Sequence, residues 1–297
     1  MANKEAKPQQ QQQQPPLSQG TDALPINNTR FRRFWTLLAY KTTSRLFYKR
    51  NQACIPLSSR YILKTGRTVS LTEAATMEFV ASQTKIPVPR VYCSFVRKGQ
   101  TYIVMERVRG KTFATSWHKL SCSQRDDLFA QLRDMLEELR SLPPPGPMIA
   151  SFSGGSLCDC RMYGKSPRFG PFPSAREFHH WLREGAHPDQ HPDHKDDDED
   201  WLELKKMVDL QDREEWEPPV FTHCDLNPTN IIVRDGNIVS IIDWEMSGWW
   251  PSYWEYTSVW LWGRGWLAWQ DNVHKFLDPY PDELEMERIR QRWWGEF

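Results

Sequence analysis

The stretch HCDLNPTNIIVRDGNIVSIIDWE, residues 223–245, constrains this 297-residue chain more than any other. Two short β-branched runs, 231–233 and 238–242, flank Arg234-Asp235-Gly236-Asn237. An Asp-Gly step between such runs is a strong hairpin signal, so the two should pair as antiparallel strands. With Asp235 and Gly236 as the turn residues, Val233 faces Ile238 and Asn230 faces Ile241. Asp243 then falls two residues further along, on Asn230's side of the sheet, as its diagonal neighbour. Diagonal partners lie about 7–8 Å apart, a span that two inward-leaning side chains bridge through one cation. Their oxygens are the hard donors that Mg²⁺ prefers. Asp225 sits in the loop feeding the hairpin, beside such a metal, where a base receives the proton of an attacking hydroxyl. A surface hairpin whose Asp and Asn residues only form turns describes Asp235 and Asn237 better than the trio Asp225, Asn230 and Asp243.

The length allows two lobes with separate cores or one large domain. Lys and Arg number 38 and Asp and Glu 38, a balance that argues against a general nucleic-acid binder. No apolar run reaches the length of a membrane span, because Glu245, Glu255, Arg264 and Gly265 interrupt the Trp-rich stretch after Trp244. The Gln/Pro-rich start lacks the apolar core of a signal peptide and has too little apolar surface to order itself, so residues 1–27 are expected to be a disordered tail. The 6 cysteines show no disulfide-scaffold spacing, which fits a reducing compartment. A cytoplasmic protein is the expectation.

Residues 30–48 set Phe31, Trp35, Leu37, Leu38 and Phe47 among Arg and Lys, the pattern of a basic amphipathic helix. Packing on its own domain is favoured over lying on an anionic membrane, because a basic face is ordinarily solvated. Residues 54–57 and 61–64 read as strands, the second ending at Lys64. Thr72 can cap a helix from Glu73 to about Thr84. Residues 101–108 are β-rich and Gly110 marks a break, which puts a crossover near 105–110. Beyond it, Ser123 with Asp126 resembles a capping box, and Leu128, Leu132, Met135, Leu136 and Leu139 form one core-facing stripe that Pro143 stops. Ser174 with Glu177 resembles a second cap.

Two stretches carry competing readings. Residues 187–200 mix carboxylates with histidines after His179-His180; they suit a solvated loop, an acidic lip for a cationic substrate, or a metal site joined by Cys158 or Cys160. Metal sites show tighter paired spacing, so the solvated loop is favoured. The tryptophans from 244 to 269 suit a buried core more than an aromatic cage. Trp249, Trp250 and Trp254 are the nearest candidates for walls of a pocket at Asp225.

H-x-D-x-x-x-x-N followed by a strand, a turn and I-I-D-W-E resembles the aminoglycoside phosphotransferase and choline kinase group, in particular the uncharacterised aminoglycoside phosphotransferase-domain proteins of filamentous fungi. RYILKTG at 60–66, IPVPRVY at 86–92, TYIVMERVRGKT at 101–112, LRSLPPP at 139–145 and GWWPSYWEY at 248–256 match the same pattern. The likeness runs from about residue 45 to the C-terminus. It implies an α+β, bilobal protein-kinase-like fold: a small β-rich N-lobe over 28–105, a hinge at 106–110, and a larger, mainly helical C-lobe over 111–297. The implied cofactors are ATP and Mg²⁺. The implied roles are Lys64 on the nucleotide phosphates, held by Glu73; Asn230 and Asp243 on the metal; Asp225 as the base; and His223 as structural support of its loop. Glu106, Arg107 and Val108 would lie beside the adenine edge. The implied activity is transfer of a γ-phosphoryl group to a hydroxyl of a small molecule. The signature of protein kinases is missing: no G-x-G-x-x-G precedes Lys64, His223-Cys224-Asp225 replaces H-R-D, Asp243-Trp244-Glu245 replaces D-F-G, and no A-P-E follows. An atypical protein kinase is therefore the lesser alternative. A nucleotide-binding pseudoenzyme or partner-binding module is the other, and the intact polar set speaks against it.

Overall fold

The computed structural model describes residues 23–47, 54–159, 162, 168–188, 199–262 and 266–294. Most of the expected tail, 1–22, lies outside them, as do 189–198 of the acidic stretch. The last residues of that expected tail are held in place: Ala23 is buried, and Ile26 exchanges hydrogen bonds with Ser94.

Helix α1 (Arg30–Phe47) precedes a four-stranded antiparallel sheet of β1 (Cys54–Pro56), β2 (Tyr61–Gly66), β3 (Val91–Arg97) and β4 (Gln100–Glu106), in spatial order β1-β2-β4-β3. Helix α2 (Leu71–Gln83) lies between β2 and β3 in sequence. Strand β2 runs two residues past the expected end at Lys64, because Thr65 and Gly66 continue the ladder with Tyr102 and Thr101. The cap of α2 is Ser70 rather than Thr72: the Ser70 hydroxyl accepts from the Thr72 N–H, which shifts the helix start to Leu71. Alternation along β2 sends Leu63 to the outer face, where Leu37 and Tyr40 of α1 pack, and Lys64 to the inner face toward α2.

After β4 the chain crosses to β5 (Lys111–Thr112), which joins a three-stranded sheet with β7 (Ile231–Arg234) and β8 (Asn237–Ile241). Gly110 makes the crossing possible. Its φ is +157°, and a Cβ there would meet Ile232 Cγ2 at 2.5 Å and the Val233 carbonyl oxygen at 2.9 Å. Strand β6 (Val220–Thr222) pairs with β9 (Gly248–Trp250) beside this sheet.

The rest is helical: α3 (Phe113–Ser116), α4 (Cys122–Arg140), α5 (Ala175–Leu182), α6 (Glu199–Gln211), α7 (Trp254–Trp262), α8 (Leu267–Gln270) and α9 (Pro281–Trp294). The capping box of α4 is Ser121 with Gln124, two residues before the expected pair, and its two bonds are both formed. Ser174 caps α5 as expected. One core runs through both lobes, from Ala74, Ile103 and Met105 to Leu132, Ile231 and Trp244. A second joins α5, α6, α7 and α9, with Trp250 and Trp254 stacked at 5.1 Å and Phe178 edge-on to Trp254 at 5.0 Å. The tryptophans are thus mainly core, as their number favoured; Trp266 is the one described as exposed between 244 and 269.

His179 sits in that second core. Its Nε2 shares a hydrogen bond with the Tyr253 hydroxyl at 2.7 Å, and the Trp216 ring lies 4.4 Å away. Burial holds the imidazole far down, to about 3, so it is neutral in the folded protein. The unfolded chain takes a proton on it near 6.5, and the folded chain refuses that proton until about 3. Stability supplied by this neutral residue is therefore complete above pH 6.5 and drains away as pH falls toward 3, at up to about 1.4 kcal/mol per pH unit. His179→Gln keeps a hydrogen-bonding atom for Tyr253 but cannot titrate. Denaturant unfolding between about pH 6 and 4.5 should give a shallower loss of stability in this variant than in the wild type by about that slope, and equal slopes would contradict a neutral buried imidazole.

Candidate active site

The hairpin forms with Asp235 and Gly236 both at positive φ, as an Asp-Gly turn requires. Val233 faces Ile238 as expected, but Asn230 does not face Ile241. A bulge inserts Val239: Ile232 pairs with Ser240 and Ile231 with Ile241, so Asn230 is opposite Ile242, whose N–H donates to the Asn230 carbonyl at 2.9 Å. Asp243 follows immediately and adopts a left-handed backbone, φ 69° and ψ 56°. The missing residue of register is made up by that bend, which an aspartate tolerates better than most residues.

Asp243 reaches Lys64. The Lys64 ammonium, 6 % exposed, donates to Glu73 at 3.0 Å, to Asp243 Oδ1 at 2.6 Å and to Glu245 at 3.1 Å. Burial pulls the ammonium down, but three carboxylates outweigh it and hold Lys64 above the ordinary lysine range. Burial pushes the fully enclosed Glu73 carboxyl up to about 7, against the pull of Lys64. One cation facing three carboxylates leaves a surplus of hard, negatively charged oxygen. Among the described residues, Glu73, Asp243 and Glu245 form the group whose donor atoms, all within 4.8 Å of one another, suit a metal ion. That chemistry fits a divalent cation such as Mg²⁺. His179, one of the histidines weighed as ligands, is enclosed in the core on the Tyr253 hydroxyl.

Asp225 lies in the loop before the hairpin. Its carboxylate accepts from the side-chain amides of Asn227 at 3.0 Å and Asn230 at 2.8 Å. Asn230 thereby spends its N–H donors on Asp225 and leaves Oδ1, the atom a cation would take. Burial pushes the Asp225 carboxyl up to about 6, the two amides hold it down, and the charges of Asp243 and Glu245 add to the rise. His223 is fully buried. Its Nδ1 accepts the Asp225 N–H at 3.2 Å, so its Nε2–H donates to the Ile242 carbonyl at 3.0 Å. That imidazole ties the Asp225 loop to the residue before Asp243, and burial holds it below the ordinary histidine range.

A cleft of about 280 Å³ runs from Lys64, Glu73 and Asp243 to the crossover, where Glu106, Arg107 and Val108 line its far end. Its walls include the apolar Ile62, Met105, Ile232 and Ile242. The crossover's N–H groups are not equivalent. Those of Glu106 and Arg107 are taken by the carbonyls of Arg90 and Arg60, both at 2.9 Å, whereas among the described residues nothing accepts from Val108. A smaller pocket of about 150 Å³ opens at Asp225, lined by Leu226, Ser258, Val259, Trp266 and Trp269. Trp249, Trp250 and Trp254, expected as its walls, are instead buried in β9 and α7. Another cavity, of about 490 Å³, lies among Pro144, Pro147, Trp216 and Pro218 and shares no lining residue with either.

Residues 49–286 match the model of the phosphotransferase enzyme family (APH). A subtelomeric hrmA-associated cluster protein of Aspergillus fumigatus, found in two strains, is 34% identical over 68 residues, which is 22% of this chain. The chain matches 13% of that relative's length. Among solved structures, a thermostable mutant of aminoglycoside phosphotransferase APH(4)-Ia in ternary complex with ADP and hygromycin B superposes with a TM-score of 0.56 at 13% identity, covering 84% of this chain and 87% of the other. A ternary complex of that protein with AMP-PNP and hygromycin B gives 0.56 at 15% identity, covering 82% of each. These likenesses establish the protein-kinase-like fold.

Three carboxylates of this region escaped the reading of the sequence. Glu245 completes the ring around Lys64. Asp159 is buried and accepts from Cys224 Sγ at 3.2 Å and Trp254 Nε1 at 3.0 Å. Glu255 is 1 % exposed and accepts the N–H groups of His223 at 2.8 Å and Cys224 at 3.1 Å. Cys224 has a φ of 72°, a left-handed conformation costly for a cysteine, so Glu255 clamps the loop where its backbone is strained. The available signal was one acid inside the aromatic run WEYTSVWLW, since a carboxylate in an apolar helix must find donors. Glu255→Ala strands two buried N–H groups and should lower stability by about 2–4 kcal/mol in denaturant unfolding. Glu255→Gln, which keeps one acceptor oxygen, should cost clearly less. Equal costs for the two variants would show that the clamp is not the acceptor.

Proposed function

Because the chain belongs to the phosphotransferase enzyme family, we propose that it moves the γ-phosphoryl group of ATP to a hydroxyl of a small molecule. The observation that carries the reading is Lys64 held between Glu73 and Asp243 at one end of a cleft whose other end is the crossover. In it the adenine edge meets the Val108 N–H, with Ile62, Met105, Ile232 and Ile242 against the ring faces. Lys64 turns from Asp243 and Glu245 to the phosphates and keeps Glu73 as its support. Asn230 Oδ1 and Asp243 hold Mg²⁺, whose charge offsets that of the phosphate oxygens.

The small pocket at Asp225 receives the acceptor. Asp225 orients the hydroxyl and takes its proton while the new O–P bond forms and the bond to the β-phosphate oxygen breaks, leaving ADP. Asn227 and Asn230 hold the Asp225 carboxylate in place, and His223 with Glu255 fixes the backbone beneath it. A pocket of about 150 Å³ suits a small molecule and gives no groove for a polypeptide. Among its described lining residues Asp225 is the one carboxylate.

Calorimetric titration of ATP with and without Mg²⁺ tests the assignment. Wild type should bind in a metal-dependent way, Asp243→Ala should lose the metal dependence, and Asp225→Ala should keep it. In a screen of hydroxyl compounds read by ADP release, Asp225→Ala should be slower by about a thousandfold on any acceptor the wild type uses. Full turnover by Asp225→Ala would overturn its role as the base, and unchanged metal-dependent binding by Asp243→Ala would overturn the metal site.

A further inference from the structure

Helix α1 is left unused by this activity, and it has two apolar faces. On one, Leu37 and Tyr40 pack against the outer side of the four-stranded sheet, with Tyr40 edge-on to Tyr102 at 6.0 Å and Thr36 buried beside Cys93. On the other, Phe31, Phe34, Trp35 and Leu38 follow the i, i+3, i+4, i+7 spacing of a single helical stripe. They stand 71, 60, 51 and 40 % exposed. Trp35 lies edge-on to Phe31 at 6.0 Å and to Phe34 at 5.6 Å, so these side chains form one strip rather than scattered surface residues.

The charge around the strip has one sign. The helix carries Arg30, Arg32, Arg33, Lys41 and Arg45 and no acid, in a chain whose formal net charge is zero. Among the described residues, none of Arg30, Arg32, Arg33 and Lys41 makes an ion pair. Arg32 reaches the Tyr92 carbonyl and Arg33 covers the Phe95 ring, which leaves Arg30 and Lys41 exposed along one border of the strip.

We propose that this face of α1 docks the protein on an anionic lipid bilayer, with Phe31, Phe34, Trp35 and Leu38 at the acyl boundary and Arg30 and Lys41 among the headgroups. Aromatic and leucine side chains bordered by basic residues on a non-spanning helix are the make-up of an interfacial helix, and α1 is not apolar enough to cross a membrane. Other occupants match less well. A second copy would set one cationic helix against another. Residues 1–22 carry Lys4 and Lys7 against Glu5 and Asp22, with Leu17 as the one large aliphatic side chain after Met1, so they supply no net negative charge and little apolar surface. An acidic peptide would answer the arginines but leave the aromatic strip in water. Because α1 covers the outer face of the sheet and Lys64 projects from the inner one, a docked molecule keeps its cleft open.

The test is co-sedimentation of the full chain with vesicles of phosphatidylcholine alone or with about a third phosphatidylserine. Wild type should bind the anionic vesicles, release them as salt screens the charge, and ignore the neutral ones. Phe34→Glu with Trp35→Glu should weaken binding by tenfold or more, on the order expected when apolar contact is lost. Arg30→Glu with Lys41→Glu should weaken it while leaving the strip intact. All four positions are exposed, so thermal melting should show both variants folded. The proposal is overturned if folded wild type fails to sediment with anionic vesicles, or if both variants bind as well as wild type. It is also overturned if light scattering shows that the strip dimerises the chain, or if the strip binds a polyglutamate peptide and no vesicle.

Discussion

The buried Lys64 ammonium is the point on which the site depends. Strand β2 carries the lysine, α2 sends it one carboxylate and the segment after the hairpin sends two. A buried cation of this kind adds little net stability once the loss of its hydration is counted. Its effect is positional: Glu73 sets the distance of α2 from β2, and Asp243 sets the distance of the C-lobe from both. The partners differ in character, for Glu73 is enclosed while the side chains of Asp243 and Glu245 are 37 and 34 % exposed. The enclosed one meets the lysine away from solvent; the other two meet it where water reaches their carboxylates.

The loop below the cleft solves a second problem, a strained backbone in a dry setting. Cys224 is left-handed and buried, and its N–H and that of His223 have no strand to bond to. Glu255 answers both from a helix thirty residues later, and its own burial is made tolerable by the same two bonds. His223 then joins the loop to the hairpin through Ile242. Asp225, Asn230, His223 and Glu255 thus form one connected network in which no member is held by packing alone.

Much of this was legible in the chain. The Asp-Gly turn, the strand bearing Lys64, the helix bearing Glu73 and the grouping of Asp225 with Asn230 all follow from local patterns, and local patterns are what a sequence displays. What was not legible is set by neighbours. The bulge at Val239 leaves no mark in the run Ile238-Val239-Ser240-Ile241-Ile242, so the register came out one residue wrong and the bend at Asp243 was not foreseen. Ser70 and Ser121 outcompeted Thr72 and Ser123 as caps because several hydroxyls stood near each helix start. Glu255 and Asp159 required knowledge of which distant loop lay against them. The walls of the Asp225 pocket were misjudged for the same reason, since Trp269 is nearer in space than Trp249, which precedes it in the chain.

The bulged hairpin also divides the tolerance of this segment to insertions and deletions. Its tip, Asp235-Gly236, is solvent-facing, and a Cβ at Gly236 meets nothing within 4 Å, so the loop can lengthen in a lineage without reaching the cleft. The arms have no such latitude. Losing Ile241 would set Asp243 rather than Ile242 opposite Asn230 and carry its carboxylate away from Lys64. The tip thus has room to change length, and the arm between Ser240 and Asp243 does not.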